Sequence, residues 1–200
     1  MSAGSHPRSL RVAFGGRMQV GKTTAARHLE ERHGFVRRAL ADPIKEIARA
    51  LGWDGAKDAR GRRLLQEVGD VGRRYDPAVW LDRLAARVEA AGERRIVVDD
   101  VRLAPEADRL REMGFRLARV DRPAAVAAGL EPGAPQRGHA TETGLDDAVF
   151  DRGIDNSGTF EELYALLDEW MAELERGPRK PKGPVQGTGP PVLGQEETQA

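Results

Sequence analysis

Residues 16–23 read Gly-Arg-Met-Gln-Val-Gly-Lys-Thr, a complete Gly-x-x-x-x-Gly-Lys-Ser/Thr pattern. The apolar run Val12, Ala13, Phe14 precedes it and a helix-like stretch follows. Strand, glycine loop and helix in that order form a phosphate cradle. The glycines let backbone N–H groups curl around an anion, and the helix N-terminus adds its partial positive charge. Gly16, Met18, Gln19, Val20, Gly21, Lys22, Thr23 and Thr24 are therefore candidates for holding a nucleoside triphosphate. Lys22 is expected to reach the β and γ phosphates, and the Thr23 hydroxyl to ligate Mg²⁺. A chance match in a Gly-rich strand-to-helix turn is the plainer alternative.

Short apolar runs alternate with helical periodicity along the chain, as a parallel α/β sheet requires. Strands are expected at Leu10 to Phe14, Phe35 to Leu40, Ile96 to Asp99, Phe115 to Val120 and, weakly, Arg152 to Ile154. Ile44, Ile47, Ala48 and Leu51 follow helical spacing, as do Leu81, Leu84, Ala85 and Val88. Leu163, Leu166, Leu167, Trp170 and Leu174 form a longer stripe. These faces are expected to pack on the sheet. Two hundred residues suit one domain. Residues 1–9 are expected to be a flexible start, 10–176 the folded domain, and 177–200 a disordered Pro/Gly-rich tail.

Thirty-two basic and 32 acidic residues cancel. No overall field favours nucleic acid or an anionic membrane, so any anion site must be local. The absence of Cys removes disulfides and thiolate metal sites. No membrane-span-length apolar stretch or secretory signal is visible, and a soluble cytoplasmic protein is expected. A monomer and a homodimer are both open.

A phosphate loop needs a partner carboxylate, and Ile96-Val97-Val98-Asp99-Asp100 offers one at a strand's carboxyl end, where ligands of open α/β sheets collect. Adjacent strand residues point to opposite faces, so only one of Asp99 and Asp100 is expected to look into the site. The other has capping the helix near Pro105 as its structural role. Arg102 returns to the side of Asp100 if the chain stays extended.

For a second anion, Arg73 and Arg74 follow Gly69 and Gly72, glycines that would bring backbone near a ligand. Asp42 and Pro43 signal a helix start, which places Lys45 near the same edge. Trp80 is a candidate base contact, although its helical stripe suits packing better. Periodicity fades between 122 and 151, and a water-excluding lid is expected there, carrying Arg122 and Arg137 toward a transferred phosphoryl group. His139 is a candidate substrate contact in that segment. Asn156 lies in the turn Asp155–Thr159 before the last helix, where capping is the structural alternative to cupping an adenine.

In sequence, GGRMQVGKTT, GFVRRALADPIK, LLQEVGDVGRRYDPAVW, VVDDVRLAPEADRLREMGFRLARVDRP, HATE and IDNSGTFEEL resemble the deoxynucleoside monophosphate kinases of bacteriophages and related bacterial proteins. The resemblance runs from about Leu10 to Trp170. It implies a three-layer α/β/α P-loop NTPase with a five-stranded parallel sheet and a lid at about 122–151. It further implies transfer of the γ-phosphoryl of ATP, with Mg²⁺, to a deoxynucleoside 5′-monophosphate. In that reading Lys22 and Thr23 serve ATP and Mg²⁺, while Asp100, a metal ligand as well, and Arg102 sit at the transfer centre. Lys45, with one of Arg73 or Arg74, holds the acceptor, and Arg122 and Arg137 belong to the lid. The alternatives are a P-loop kinase of another metabolite, resembling phosphomevalonate or dephospho-coenzyme A kinases, an NTP-dependent switch, and a nucleotide-binding module without catalysis.

Overall fold

The computed structural model describes residues 9–17, 19–56, 58–122, 144–145 and 148–177. Five strands are ordered β2-β3-β1-β4-β5, and every pairing is parallel. They are β1 (Leu10–Gly15), β2 (Val36–Arg38), β3 (Arg95–Val101), β4 (Arg116–Asp121) and β5 (Arg152–Asp155). The helices are α1 (Lys22–His33), α2 (Ala41–Ala50), α3 (Ala59–Tyr75), α4 (Val79–Ala91), α5 (Ala104–Glu112) and α6 (Phe160–Arg176). All five expected strands are present.

Strand alternation sorts the core into two layers. Val12, Phe14 and Val97 join α1 residues Ala25, Ala26 and Leu29 and α6 residues Leu163, Leu167, Trp170 and Met171 on one face. Ala13, Ile96 and Val98 point the other way, onto Ile44 of α2, Leu81, Leu84 and Val88 of α4, and Leu110 of α5. The result is the three-layer α/β/α arrangement, with β1 central and its carboxyl end at the site.

The α2 stripe is only partly a core face. Ile44 and Ala48 are buried, but Ile47 is exposed and Leu51 is 66% exposed, because α2 stops at Ala50 and Leu51 caps it from outside the helical register. Gly69 and Gly72, expected to approach a ligand, instead lie inside α3. A Cβ at Gly72 would fall 2.2 Å from the Trp80 ring, so this glycine makes room for α4 to pack on α3.

Described residues at the far end of the expected lid pack on the core. Leu145 is buried, Gly144 O accepts from Ala104 N at 2.7 Å, and the Asp151 carboxylate accepts from Leu117 N at 2.8 Å. The remainder of that segment, with Arg137 and His139, lies outside the described residues, as do 1–8 and the tail from 178 onward.

Candidate active site

The loop after β1 needs backbone that only glycine adopts easily. Gly16 has φ 134° and its missing Cβ would fall 2.3 Å from Val120 O, while Gly21 has φ 100° and its Cβ would meet the Asn156 amide at 2.3 Å. Gln19 also sits in the left-handed region at φ 63°. Met18 lies outside the described residues. Gly21 caps α1, so the helix N-terminus faces the cradle. Lys22 Nζ donates to Gly16 O at 2.6 Å and Arg17 O at 2.5 Å, folded across the loop it would serve.

Asn156 is buried and braces this loop from behind. Its backbone N donates to Asp121 O at 2.8 Å, and its Nδ2 donates to Val20 O at 2.8 Å. The side chain is therefore committed to the loop backbone rather than turned to a base. The helix cap belongs to Thr159, whose hydroxyl accepts from Glu162 N at 3.2 Å while the Glu162 carboxylate accepts from Thr159 N at 2.8 Å. Beside it, Asp121, Arg122, Gly153, Ile154 and Asp155 line a cleft of about 440 Å³. Arg122 Nε is buried there with no hydrogen-bond partner among the described residues.

The two β3 carboxylates divide along the strand's alternation. Asp99 shares the parity of Val97 and faces α1, where Thr23 Oγ1 donates to its Oδ2 at 2.8 Å. Its other oxygen lies 2.8 Å from Arg37 Nε, an ion pair too bent to count as a hydrogen bond. Burial works against the Arg37 charge, but Asp99, with the Asp100 and Glu30 charges, outweighs it and holds the guanidinium pKa above its ordinary value.

Asp100 faces the α2 side, accepting from Leu40 N at 2.9 Å and Ala41 N at 2.8 Å. Burial, then the neighbouring Asp99 charge, raises its pKa to about 6 against the two amide bonds. Of the two carboxylates that could face the site, Asp99 lies beside Thr23, and Asp100 pins the first turn of α2. A Thr hydroxyl with a carboxylate is a hard oxygen donor set that suits Mg²⁺.

Across the sheet's carboxyl edge, Lys45 Nζ donates to Asp42 at 2.9 Å, and Asp42 also accepts from Ala39 N at 3.1 Å. Arg73 is partly buried between Asp70 at 3.4 Å and Glu106 at 3.6 Å, whereas Arg74 is exposed. Glu106 is buried and accepts from Arg102 N at 2.9 Å and Leu103 N at 3.2 Å. It fixes the turn carrying Arg102 and gives Arg73 an anionic neighbour. Trp80 is buried, and its Nε1 donates to Gly69 O at 3.0 Å, the packing role that its helical stripe suits. Arg37 and Glu106 carry no motif signal, and the sequence gives no hint of their positions.

Comparison with known proteins agrees with this architecture. A family model described as an AAA domain matches residues 12–127, which include the loop, both β3 carboxylates and Arg102. The chain belongs to that family. This AAA-domain chain is 30% identical over 172 residues to the uncharacterized protein ORF76 of Ictalurid herpesvirus 1, covering 82% of this chain and 67% of that one. It is 28% identical over 181 residues to an Acanthamoeba polyphaga mimivirus protein that bears, on a provisional basis, the name deoxynucleotide monophosphate kinase, covering 74% of this chain and 88% of that one. The crystal structure of a Janibacter sp. sugar kinase shares the fold at a TM-score of 0.52 and 23% identity, over 82% of this chain and 95% of that one. Among the described residues of the AAA-domain chain, no helix is long and apolar enough to cross a membrane.

Proposed function

We propose that the protein is a P-loop kinase that transfers the γ-phosphoryl of ATP to a deoxynucleoside 5′-monophosphate, yielding ADP and the deoxynucleoside diphosphate. The observation that carries the reading is the division of β3: Asp99 sits with Thr23 on the donor side, and Asp100 anchors the helix that presents Lys45 on the acceptor side. The mimivirus relative supports the choice of acceptor class.

In this reading the loop amides and Lys22 grip the donor phosphates, with Lys22 exchanging its bonds to Gly16 O and Arg17 O for phosphate oxygens. Thr23 and Asp99 would hold Mg²⁺, which would offset phosphate charge and orient the transferred group. Lys45 and Arg73 grip the acceptor phosphate, and the fork of Arg73 suits bidentate contact. Arg102, the residue after β3 ends, is assigned to the charge that develops during transfer. Arg122, which lines the cleft beside β5, is assigned to the transferred phosphoryl group. A phosphate monoester whose second pKa is near 6 is already anionic at neutral pH, so no strong general base is required. Arg137 and His139 keep the lid roles expected for them.

The test is ATP consumption with each deoxynucleoside and ribonucleoside monophosphate in turn, beside phosphomevalonate, dephospho-coenzyme A and sugar acids. Turnover confined to nucleotides is expected; turnover confined to another metabolite would replace the acceptor assignment. Lys22→Ala is expected to lower turnover about 10²–10³-fold, the scale for loss of one preorganised charge-stabilising donor, while the melting temperature stays near wild type.

A further inference from the structure

On the face of the sheet that carries α1 and α6, three donor side chains meet away from the phosphate loop. His28 Nε2 lies 2.6 Å and His33 Nε2 2.7 Å from the same oxygen of Asp168. One donor atom from each residue lies within 4.8 Å of the others. Two residues come from α1 and one from α6, so the cluster bridges helices that share a core face. The imidazoles stand edge to face, with ring centroids 5.8 Å apart and planes at 69°. His28 is held by stacking on Tyr164 at 4.2 Å and 5°. Both rings are mostly buried, with side chains 11% and 18% exposed, while Asp168 at 45% leaves one side open to solvent.

We propose that His28, His33 and Asp168 form a site for a divalent transition-metal ion of the Zn²⁺ class, which joins α1 to α6. Two imidazoles and one carboxylate are borderline donors that suit such ions, whereas Mg²⁺ and Ca²⁺ prefer oxygen alone. Without metal, each Nε2 carries the proton it donates to Asp168. With metal, neutral imidazoles hold that proton on Nδ1 and turn the Nε2 lone pair to the ion. Metal–ligand distances of about 2.0–2.2 Å place tetrahedral ligand atoms about 3.4 Å apart. The three donors must therefore spread by several tenths of an ångström, which rotation of the exposed Asp168 side chain permits. Solvent completes the coordination on the open side. The inference does not depend on the proposed kinase activity.

The test uses the full chain, freed of metal by chelation and kept in excess Mg²⁺ with ADP so that the phosphate loop is saturated. Zn²⁺ is titrated by calorimetry, and Co²⁺ binding is followed by its visible d–d absorption. The expected result is one saturable Zn²⁺ per chain, a Co²⁺ spectrum showing nitrogen ligation, and a melting temperature raised by Zn²⁺. His33→Gln and Asp168→Asn are each expected to weaken binding at least about tenfold and to abolish the Zn²⁺-dependent rise. Metal-free melts show whether each variant folds, and the folded one decides. Absence of saturable binding, a Co²⁺ spectrum without nitrogen ligation, or unchanged affinity in the folded variants overturns the site.

Discussion

Replacing Asp99 with Asn perturbs two partners of one buried carboxylate. One oxygen accepts from Thr23 Oγ1 and the other faces Arg37 Nε, each at 2.8 Å. The Asp99 side chain is 1% exposed and that of Arg37 is 34% exposed. Removing one member of a buried ion pair costs about 3–5 kcal/mol, but water reaching Arg37 lowers the expected loss to about 1–3 kcal/mol. For a domain of this size that corresponds to a melting temperature lower by about 3–10 °C. Turnover is expected to fall about 10²–10³-fold through loss of the Mg²⁺-side charge, with the Mg²⁺ concentration for half-maximal rate shifted upward. Adding Arg37→Met removes the unpaired cation and should restore part of the stability without restoring turnover. Thermal melts and a Mg²⁺ titration of the steady-state rate check both halves. An unmoved melting temperature would refute the ion-pair argument, and near-native turnover with an unmoved Mg²⁺ dependence would refute the placement of the metal.

Three further outcomes follow from neighbouring contacts. Asn156→Ala leaves Val20 O without its partner and is expected to cost about 1–3 kcal/mol and raise KM for ATP; an unchanged KM would separate Asn156 from the loop's geometry. Trp80→Phe removes the hydrogen bond to Gly69 O and is expected to cost about 1–2 kcal/mol with no change in acceptor KM, whereas a shifted KM would return Trp80 to the site. Because Asp100 has a pKa raised from 3.8 to about 6, folding favours its protonated form. Its ionisation therefore costs stability as pH rises from about 4 to above 6, by up to about 3 kcal/mol at about 1.4 kcal/mol per pH unit. Melts of wild type and Asp100→Asn across that range should differ in slope, and parallel profiles would contradict the burial argument.

Much of the donor half was legible in the chain because its requirements are local. A strand, a glycine loop and Lys-Thr at a helix start are fixed by backbone geometry, and the structure places them in that order. β1 and β3 were legible as apolar runs, whereas β2, Val-Arg-Arg, and β5, Arg-Gly-Ile-Asp, carry one large apolar residue each and take their places by pairing in the sheet. The choice between Asp99 and Asp100 was half legible. Alternation shows that they part, but only the packing of α1 on the Val97 face tells which of them meets Thr23. Trp80 illustrates another case: base contact and packing in a helical stripe were both open for it, and only the space that Gly72 leaves for its ring shows how it packs. Leu51 matched a helical stripe that ended one residue too early. Arg37 meets Asp99, and Glu106 meets Arg73, through tertiary contacts that no spacing encodes.

The account turns on where the γ-phosphoryl goes. Phosphorus NMR of the full chain with Mg²⁺, ATP and a deoxynucleoside monophosphate should show ADP and a new diphosphate β-phosphorus signal growing together. Accumulation of inorganic phosphate in place of that signal would mean that water is the acceptor, and would contradict the division of the cleft between two phosphates.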